Sequence, residues 1–140
     1  MPRAVATREL QASREDVWSF LVEPGHLADW WPGVGAVEPD RRGLAAGARW
    51  TLRGGSGPTL LRKPYSETLL LVREVLPFEL IRWYTTRDRL EAEISIRATS
   101  ETTTEATLAV SSEWYVPFRR SLPKTALSRL HDLCQTAAAF

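Results

Sequence analysis

The chain has 140 residues, the usual size of a single domain, and 44% of them are hydrophobic, as in a globular protein. Eighteen basic and 17 acidic residues leave a net charge of +1, which argues against a general polyanion binder. The single cysteine, Cys134, excludes an internal disulfide and a thiolate zinc site. Six tryptophans are the unusual feature, and they indicate a use for wide, flat apolar surface.

The sequence predicts neither export nor a membrane span. Residues 1–5 run directly into a charged stretch, without the apolar core of a signal peptide. The longest aliphatic run, residues 69–72, is far shorter than the roughly 18 residues that a spanning helix needs. We therefore expect a cytoplasmic protein with one domain over residues 1–140.

The first part of the chain predicts one strand followed by two short helices. Residues 3–10 are the candidate strand. Ser13 is a candidate N-cap, because acidic residues follow it in the first turn, where the helix dipole favours negative charge. A Pro-Gly pair at 24–25 ends this helix, and a second short helix is expected over 26–31.

Most of the remaining chain alternates between apolar and polar residues, as the strands of a half-buried antiparallel sheet do. The candidate strands with an assignable pattern are 48–53, 80–87, 90–98 and 106–114. Residues 65–75 also favour a strand, but apolar residues occupy both parities, so their facing stays open. We expect six strands in this run, which makes seven with the first.

The last segment predicts an amphipathic helix. Ser121 can cap it, and Pro123 is tolerated in the first turn. Leu127, Leu130 and Cys134 recur at steps of three and four residues and form its apolar face. This helix is long enough to cover the apolar face of the sheet. We therefore expect an α+β fold in which a curved seven-stranded antiparallel sheet wraps around the C-terminal helix.

The order of these elements and five short motifs resemble the START-like helix-grip superfamily, also called SRPBCC or polyketide cyclase/dehydrase-like. The motifs are 12–18 (ASREDVW), 23–33 (EPGHLADWWPG), 47–50 (GARW), 75–83 (VLPFELIRW) and 126–131 (ALSRLH). The likeness covers nearly the whole chain. It is typical of the fold and says little about activity. Phe78 stands where the family's turn commonly has a second proline.

The resemblance implies a hydrophobic cavity between the sheet and the C-terminal helix, with the two short helices at its mouth. Members of the superfamily bind lipids, sterols, polyketides, plant hormones or aromatic products. Others act as chaperone cofactors or ribosome-associated factors. No metal, nucleotide or covalent cofactor is implied, and the fold alone does not decide the function.

Tryptophan positions supply the candidate pocket. Trp50, Trp83 and Trp114 share strand parity with apolar residues, so we expect inward rings that either line a cavity or fill the core. Two adjacent residues on a short helix cannot both face the core, so we expect Trp30 to be buried and Trp31 to lie at the rim. The candidate ligand-pocket residues are Trp30, Trp31, Trp50, Trp83, Leu108, Val110, Trp114, Leu127, Leu130 and Cys134.

Few polar side chains are candidates for chemistry inside such a cavity. His131 and Cys134 are neighbours on the last helix, but a nucleophilic pair also needs an orienting group and an oxyanion hole, which the local sequence lacks. We assign no catalytic residue and no metal ligand. Whether Arg82, Tyr84, His26 or His131 reaches the cavity stays open.

Composition and resemblance lead to one leading hypothesis and two alternatives. We expect a cytoplasmic monomer or weak homodimer that binds a hydrophobic, ring-containing small molecule and has no nucleic-acid partner. The first alternative is a polyketide-type aromatase/cyclase or dehydratase, which needs titratable groups that converge in the cavity. The second is a chaperone-cofactor or ribosome-associated interaction domain, which needs a filled core and a contiguous exposed patch.

Overall fold

A computed structural model of the protein describes residues 3–54, 67–86, 89–112 and 120–138. Helices cover one face of a seven-stranded antiparallel sheet, which confirms the predicted α+β class, the two short helices after the first strand and the long C-terminal helix. In chain order the elements are β1 (Arg3–Leu10), α1 (Arg14–Val22), a 3₁₀ turn (Pro24–His26), α2 (Leu27–Trp30), β2 (Val34–Glu38), β3 (Arg49–Gly54), β4 (Glu67–Leu76), β5 (Leu80–Thr85), β6 (Leu90–Ala98), β7 (Thr104–Ser112) and α3 (Leu122–Ala138).

The sheet is a meander closed by the first strand. Strands β2 to β7 pair in sequence, and β1 returns to pair with β7, so the order is β1-β7-β6-β5-β4-β3-β2. Register shifts occur in β2 between Val34 and Ala36, and in β4 between Val72 and Glu74. Such bulges bend a strand and increase its twist. Both lie in the half of the sheet that is distant from β1, which is the half that holds the candidate site.

Local structure in the helical region follows the predicted cap but differs in the second helix. The Oγ of Ser13 accepts a hydrogen bond from the backbone N–H of Asp16 at 3.1 Å, which confirms the N-cap. The predicted helix over 26–31 is instead the 3₁₀ turn that begins at Pro24, followed by the four residues of α2. Proline can start a helical turn, since its missing N–H would have no partner there.

Strand facing agrees with the predicted alternation where the sequence alternates. Burial alternates along β5, β6 and β7, with the odd residues of β5 and the even residues of β6 and β7 facing the helices. In β4, whose facing the sequence left open, Leu70 and Val72 are buried, whereas Leu69 is 38% exposed. β2 is the strand to which the pattern assigned no residues, and its burial does not alternate.

Helix α3 covers the β1–β7 half of the sheet and contacts β1, β7 and α2. Leu127, Leu130 and Cys134 on α3 pack into one core with Leu108 and Val110 on β7, and all five are at most 1% exposed. Among the helices that the structure describes, none has the length and apolar character needed to cross a membrane. The helix therefore closes one half of the sheet, and the remaining half is covered by other segments.

Phe78, in the turn between β4 and β5, has a left-handed backbone with φ of 64°. Its ring lies 5.8 Å from that of Trp18, measured between centroids. Both Phe78→Ala and Phe78→Gly remove this ring contact, but only glycine relieves the steric strain of Cβ. We expect Phe78→Gly to be more stable than Phe78→Ala by about 0.5–1 kcal/mol in urea unfolding. Equal stability of the two variants would contradict strain at this position.

Candidate ligand-binding site

A cavity lies beneath the β3–β6 half of the sheet, away from most of α3. The described residues that line it are all apolar: Leu21, Leu27, Trp30, Leu44, Trp50, Leu70, Val72, Ile81, Trp83 and Ile94. The cavity is narrow. It measures about 20 Å³ as the space open to the centre of a water molecule, which is room for about one water.

The cavity has a strand wall, a helix wall and a loop wall. Inward-facing residues of β3, β4, β5 and β6 form the strand wall, because alternate residues of each strand point to the same face. Residues of α1 and α2 form the helix wall. The loop wall is the cover segment, defined as residues 39–48 between β2 and β3, which contributes Leu44. Every wall therefore offers hydrocarbon to a bound molecule.

Two indole rings of the lining, Trp30 and Trp83, pack edge to face with each other and with a third ring, Trp31, which is not in the described lining. The centroid of Trp83 lies 6.1 Å from that of Trp30 and 5.2 Å from that of Trp31, and the Trp30–Trp31 distance is 5.6 Å. Such tilted aromatic pairs are favourable beyond the area they bury. The cluster holds Trp83, at the centre of the sheet, in a defined orientation.

Trp31 is 5% exposed, so its predicted place at the rim is wrong. Helix α2 ends at Trp30, and Trp31 has extended backbone angles of φ −86° and ψ 120°. The helical spacing that would separate two adjacent side chains does not apply once the backbone leaves the helix. Trp30 is buried as predicted, at 2% exposed, and both rings face the core.

Polar contacts hold the cover segment over the cavity. The indole Nε1 of Trp50 donates to the carbonyl oxygen of Gly43 at 2.8 Å. The carboxylate of Asp40 accepts from the backbone N–H of Arg49 at 2.8 Å and from that of Arg42 at 3.0 Å. The Arg49 hydrogen bond is the main cause that lowers the pKa of Asp40, against a smaller opposing effect of desolvation. The ionised carboxylate of Asp40 therefore links the start of the cover segment to the start of β3.

Trp83 differs from Trp50 in the state of its indole N–H. Trp83 is 3% exposed, and its Nε1 is buried without a hydrogen-bond partner among the residues that the structure describes. A buried donor without a partner loses its hydrogen bonds to water and gains none in return. Trp83 is therefore a residue of the lining whose buried N–H has no hydrogen bond in the described part of the chain.

The predicted pocket residues separate into two groups, and Trp31 belongs to neither: it is not in the described lining and packs against the lining residues Trp30 and Trp83. Trp30, Trp50 and Trp83 line the cavity. The five buried residues on β7 and α3 do not line it, because α3 packs closely against β1 and β7. Trp114 lies outside the described residues. The cavity residues that sequence reasoning did not select are Leu21, Leu27, Leu44, Leu70, Val72, Ile81 and Ile94.

The polar residues whose position the sequence left open do not line the cavity. Arg82 and Tyr84 alternate with Trp83 along β5 and face the other side of the sheet, where both are half-buried. His26 is partly exposed, with Nδ1 3.0 Å from a carboxylate oxygen of Asp29. The described part of the chain contains no group of three His, Cys, Asp or Glu residues that could hold a metal ion.

The thiol of Cys134 is not activated. Burial, with a smaller contribution from the negative charge of Asp16, raises its pKa to about 11. The neighbouring His131 has its Nδ1 3.5 Å from a carboxylate oxygen of Asp132. Because the thiolate is the nucleophilic form, the pair does not form a catalytic dyad at neutral pH.

This placement predicts that Cys134 resists alkylation in the folded protein. At pH 8 we expect iodoacetamide to react about 100-fold more slowly in buffer than in 8 M urea, since both burial and the raised pKa suppress the thiolate. Mass spectrometry of the quenched samples measures the rate. Native and unfolded rates within about threefold of each other would contradict a buried, protonated thiol.

Comparison with known families agrees with this fold. A family model described as polyketide cyclase/dehydrase and lipid transport matches residues 1–134. The chain belongs to this family. The resemblance stated from the motifs is thereby confirmed. No curated protein matches the chain.

Solved structures show the same helix-grip fold of the family at low sequence identity. XoxI from Bacillus cereus has a TM-score of 0.72 at 12% identity, with 99% of each chain covered. NE0264 from Nitrosomonas europaea has a TM-score of 0.72 at 20% identity, with 99% of this chain and 97% of that chain covered. The di-domain ARO/CYC BexL from the BE-7585A biosynthetic pathway has a TM-score of 0.73 at 13% identity, over 99% of this chain and 48% of that chain. These likenesses concern the fold alone.

Proposed function

We propose that this protein binds a hydrophobic, ring-containing small molecule in the cavity between the strand wall and the cover segment. The observation that carries the proposal is the cavity lining, in which three indole rings and seven aliphatic side chains leave space in an otherwise packed core. Wide aromatic faces suit a flat ligand, and apolar burial provides about 25 cal/mol per Å². Membership of a family whose description includes lipid transport supports the same class of function.

Binding of a ring needs the cavity to widen. Its present space holds about one water, so a wall must move outward by the thickness of an aromatic ring. The cover segment is the wall suited to this movement. Most of the cover segment is exposed, including Arg41, Arg42 and residues 45–47. Leu44 is the residue that this segment contributes to the cavity lining. Because few of its side chains are buried, moving it outward breaks mainly polar contacts such as the Trp50–Gly43 hydrogen bond, each of which contributes about 0.5–1.5 kcal/mol.

The apolar lining favours binding over catalysis. A cyclase or dehydratase needs a general base and a group that polarises a carbonyl within reach of the substrate. The described lining carries no titratable side chain. The interaction-domain alternative has less support, because the core beneath the cover segment is not filled. A carrier or sensor is therefore the role that the observations support best.

The proposal includes the setting in which such a carrier would act. We propose a cytoplasmic monomer or weak homodimer that has no nucleic-acid partner. The net charge of +1 supports the last point, because nucleic-acid binding by phosphate contacts needs a basic surface. Within the described sheet, β1 and β2 are edge strands, which supports weak pairing between copies.

Native mass spectrometry of the purified protein tests the proposal. We expect a mass increment of a small molecule that disappears under denaturing conditions. In parallel, calorimetric titration with neutral compounds of one to three fused rings, indane and 1-indanone among them, should give at least one dissociation constant below about 1 mM. Absence of both a retained molecule and any binding in this series would contradict the proposed function.

A further inference from the structure

Two tryptophans of the strand wall, Trp50 on β3 and Trp83 on β5, use their indole N–H groups differently. The N–H of Trp50 already donates to the carbonyl oxygen of Gly43 at 2.8 Å, so it serves the cover segment. The N–H of Trp83 is buried and has no partner in the described part of the chain. Both rings line the same cavity. Trp83 is therefore the one of these two indoles that still has a hydrogen bond to offer a ligand.

We propose that the ligand is a neutral, mainly hydrocarbon ring compound with a hydrogen-bond acceptor, and that the N–H of Trp83 donates to that acceptor. The inference rests on the proposed function and adds the chemical class of the ligand. A carbonyl, ether or phenolic oxygen, or a ring nitrogen, has the required lone pair. A pure hydrocarbon would leave the buried donor unsatisfied.

The described lining carries no charged side chain, and this favours a neutral ligand. All ten described lining residues are apolar, so no basic or acidic side chain is present to compensate a charge on the ligand. Moving an ion from water into such a site without a partner is strongly unfavourable. A carboxylate would gain one hydrogen bond from Trp83 and lose its hydration. A neutral acceptor loses far less, and we expect it to be selected.

The indole cluster fixes the donor in place. Trp30 and Trp31 pack edge to face against Trp83 at 6.1 and 5.2 Å between ring centroids. A ring held on one side by two others has little freedom to rotate. A contact of the N–H with a neighbouring π face is much weaker than an N–H···O bond. The cluster therefore fixes the orientation of the indole ring that carries the donor.

Two compounds of nearly equal shape test the hydrogen bond. Indane and 1-indanone share a fused two-ring skeleton, and 1-indanone adds one carbonyl acceptor. The measured quantity is the ratio of their dissociation constants by calorimetry, compared between wild type and variants, so that their different hydrophobicity cancels. We expect Trp83→Phe to reduce the preference for 1-indanone by about three- to tenfold, the usual contribution of a neutral hydrogen bond.

Trp50→Phe is the matched control. It makes the same change in the same cavity, but the N–H that it removes belongs to the contact with Gly43. We expect its ratio to stay within about twofold of wild type, even if both compounds bind more weakly or the protein is less stable. An equal fall of the ratio in both variants would overturn the assignment of the donor to Trp83.

A measurement on the unmutated protein keeps the proposal testable if either variant fails to fold. In a ¹⁵N–¹H spectrum, 1-indanone should move the indole N–H signal of Trp83 downfield, and indane should not. Equal effects of the two compounds, or a ratio unchanged by Trp83→Phe, would overturn the hydrogen bond and leave the proposed function standing. Failure of both compounds and of all other ring compounds to bind would instead contradict the proposed function.

Discussion

Val72→Ile should weaken the binding of 1-indanone about tenfold or more. Val72 lies on β4, is 2% exposed and lines the cavity. The free space holds about one water, and an added methyl group is about as large as a water molecule, so it fills most of that space. A single methylene in a hydrophobic pocket changes affinity by about 10–200-fold. Because the methyl group enters existing space, we expect the free energy of unfolding to change by less than about 1 kcal/mol.

Val110→Ile provides the matched control for this substitution. Val110 is 1% exposed and faces the same side of the sheet, but it lies on β7 under α3 and does not line the cavity. We expect its affinity for 1-indanone to stay within about twofold of wild type. Its stability should fall by about 1–3 kcal/mol, since the added methyl group must displace packed neighbours. Equal loss of affinity in both variants would contradict the placement of the site.

Most of the fold follows from the sequence because its strands are half-buried. Where one face is apolar and the other polar, as along 90–98, the period of two defines both the strand and its facing. The facing of β4 could not be predicted in this way, for a physical reason. It is apolar on both parities, and the bulge between Val72 and Glu74 changes the register within the strand. β2 has no alternation in its burial, so its existence follows from pairing with β3.

The candidate site was only partly predictable, and the reason is topological. Strand parity correctly turns Trp50 and Trp83 inward, and both line the cavity. The family pattern placed the cavity under the C-terminal helix, but that helix packs on β1 and β7 and leaves the β3–β6 half to α1, α2 and the cover segment. Leu44 lies in a loop without periodicity, so no sequence signal marks it. Such loop walls depend on tertiary contacts such as the Trp50–Gly43 hydrogen bond.

The two adjacent tryptophans show how one backbone angle changes the outcome. Helical spacing forbids a shared face for Trp30 and Trp31, and the extended conformation at Trp31 removes that restriction. The result is a second buried indole in contact with Trp83. The sequence contains a hint in Pro32, because the residue before a proline is biased towards extended angles. We therefore expect Trp31 to contribute to the free energy of unfolding as a core residue does.

Trp31→Ala should lower the free energy of unfolding by about 3–5 kcal/mol, the usual cost of removing a buried tryptophan ring. A residue at a solvent-exposed rim would cost less than about 1 kcal/mol. Urea unfolding followed by circular dichroism measures the difference without relying on the fluorescence of the removed ring. Trp31→Phe should recover a large part of the loss, because phenylalanine keeps an aromatic edge against Trp30 and Trp83.

Leu76→Ala sets the scale for an exposed apolar residue in the same protein. Leu76 ends β4 and is 43% exposed, so its truncation should change stability by about 0.5 kcal/mol or less. A Trp31→Ala loss no larger than that of Leu76→Ala would place Trp31 at the surface and contradict the indole cluster. A loss of several kcal/mol would instead mean that the ring supports Trp83. The three packed rings would then form a rigid side of the cavity.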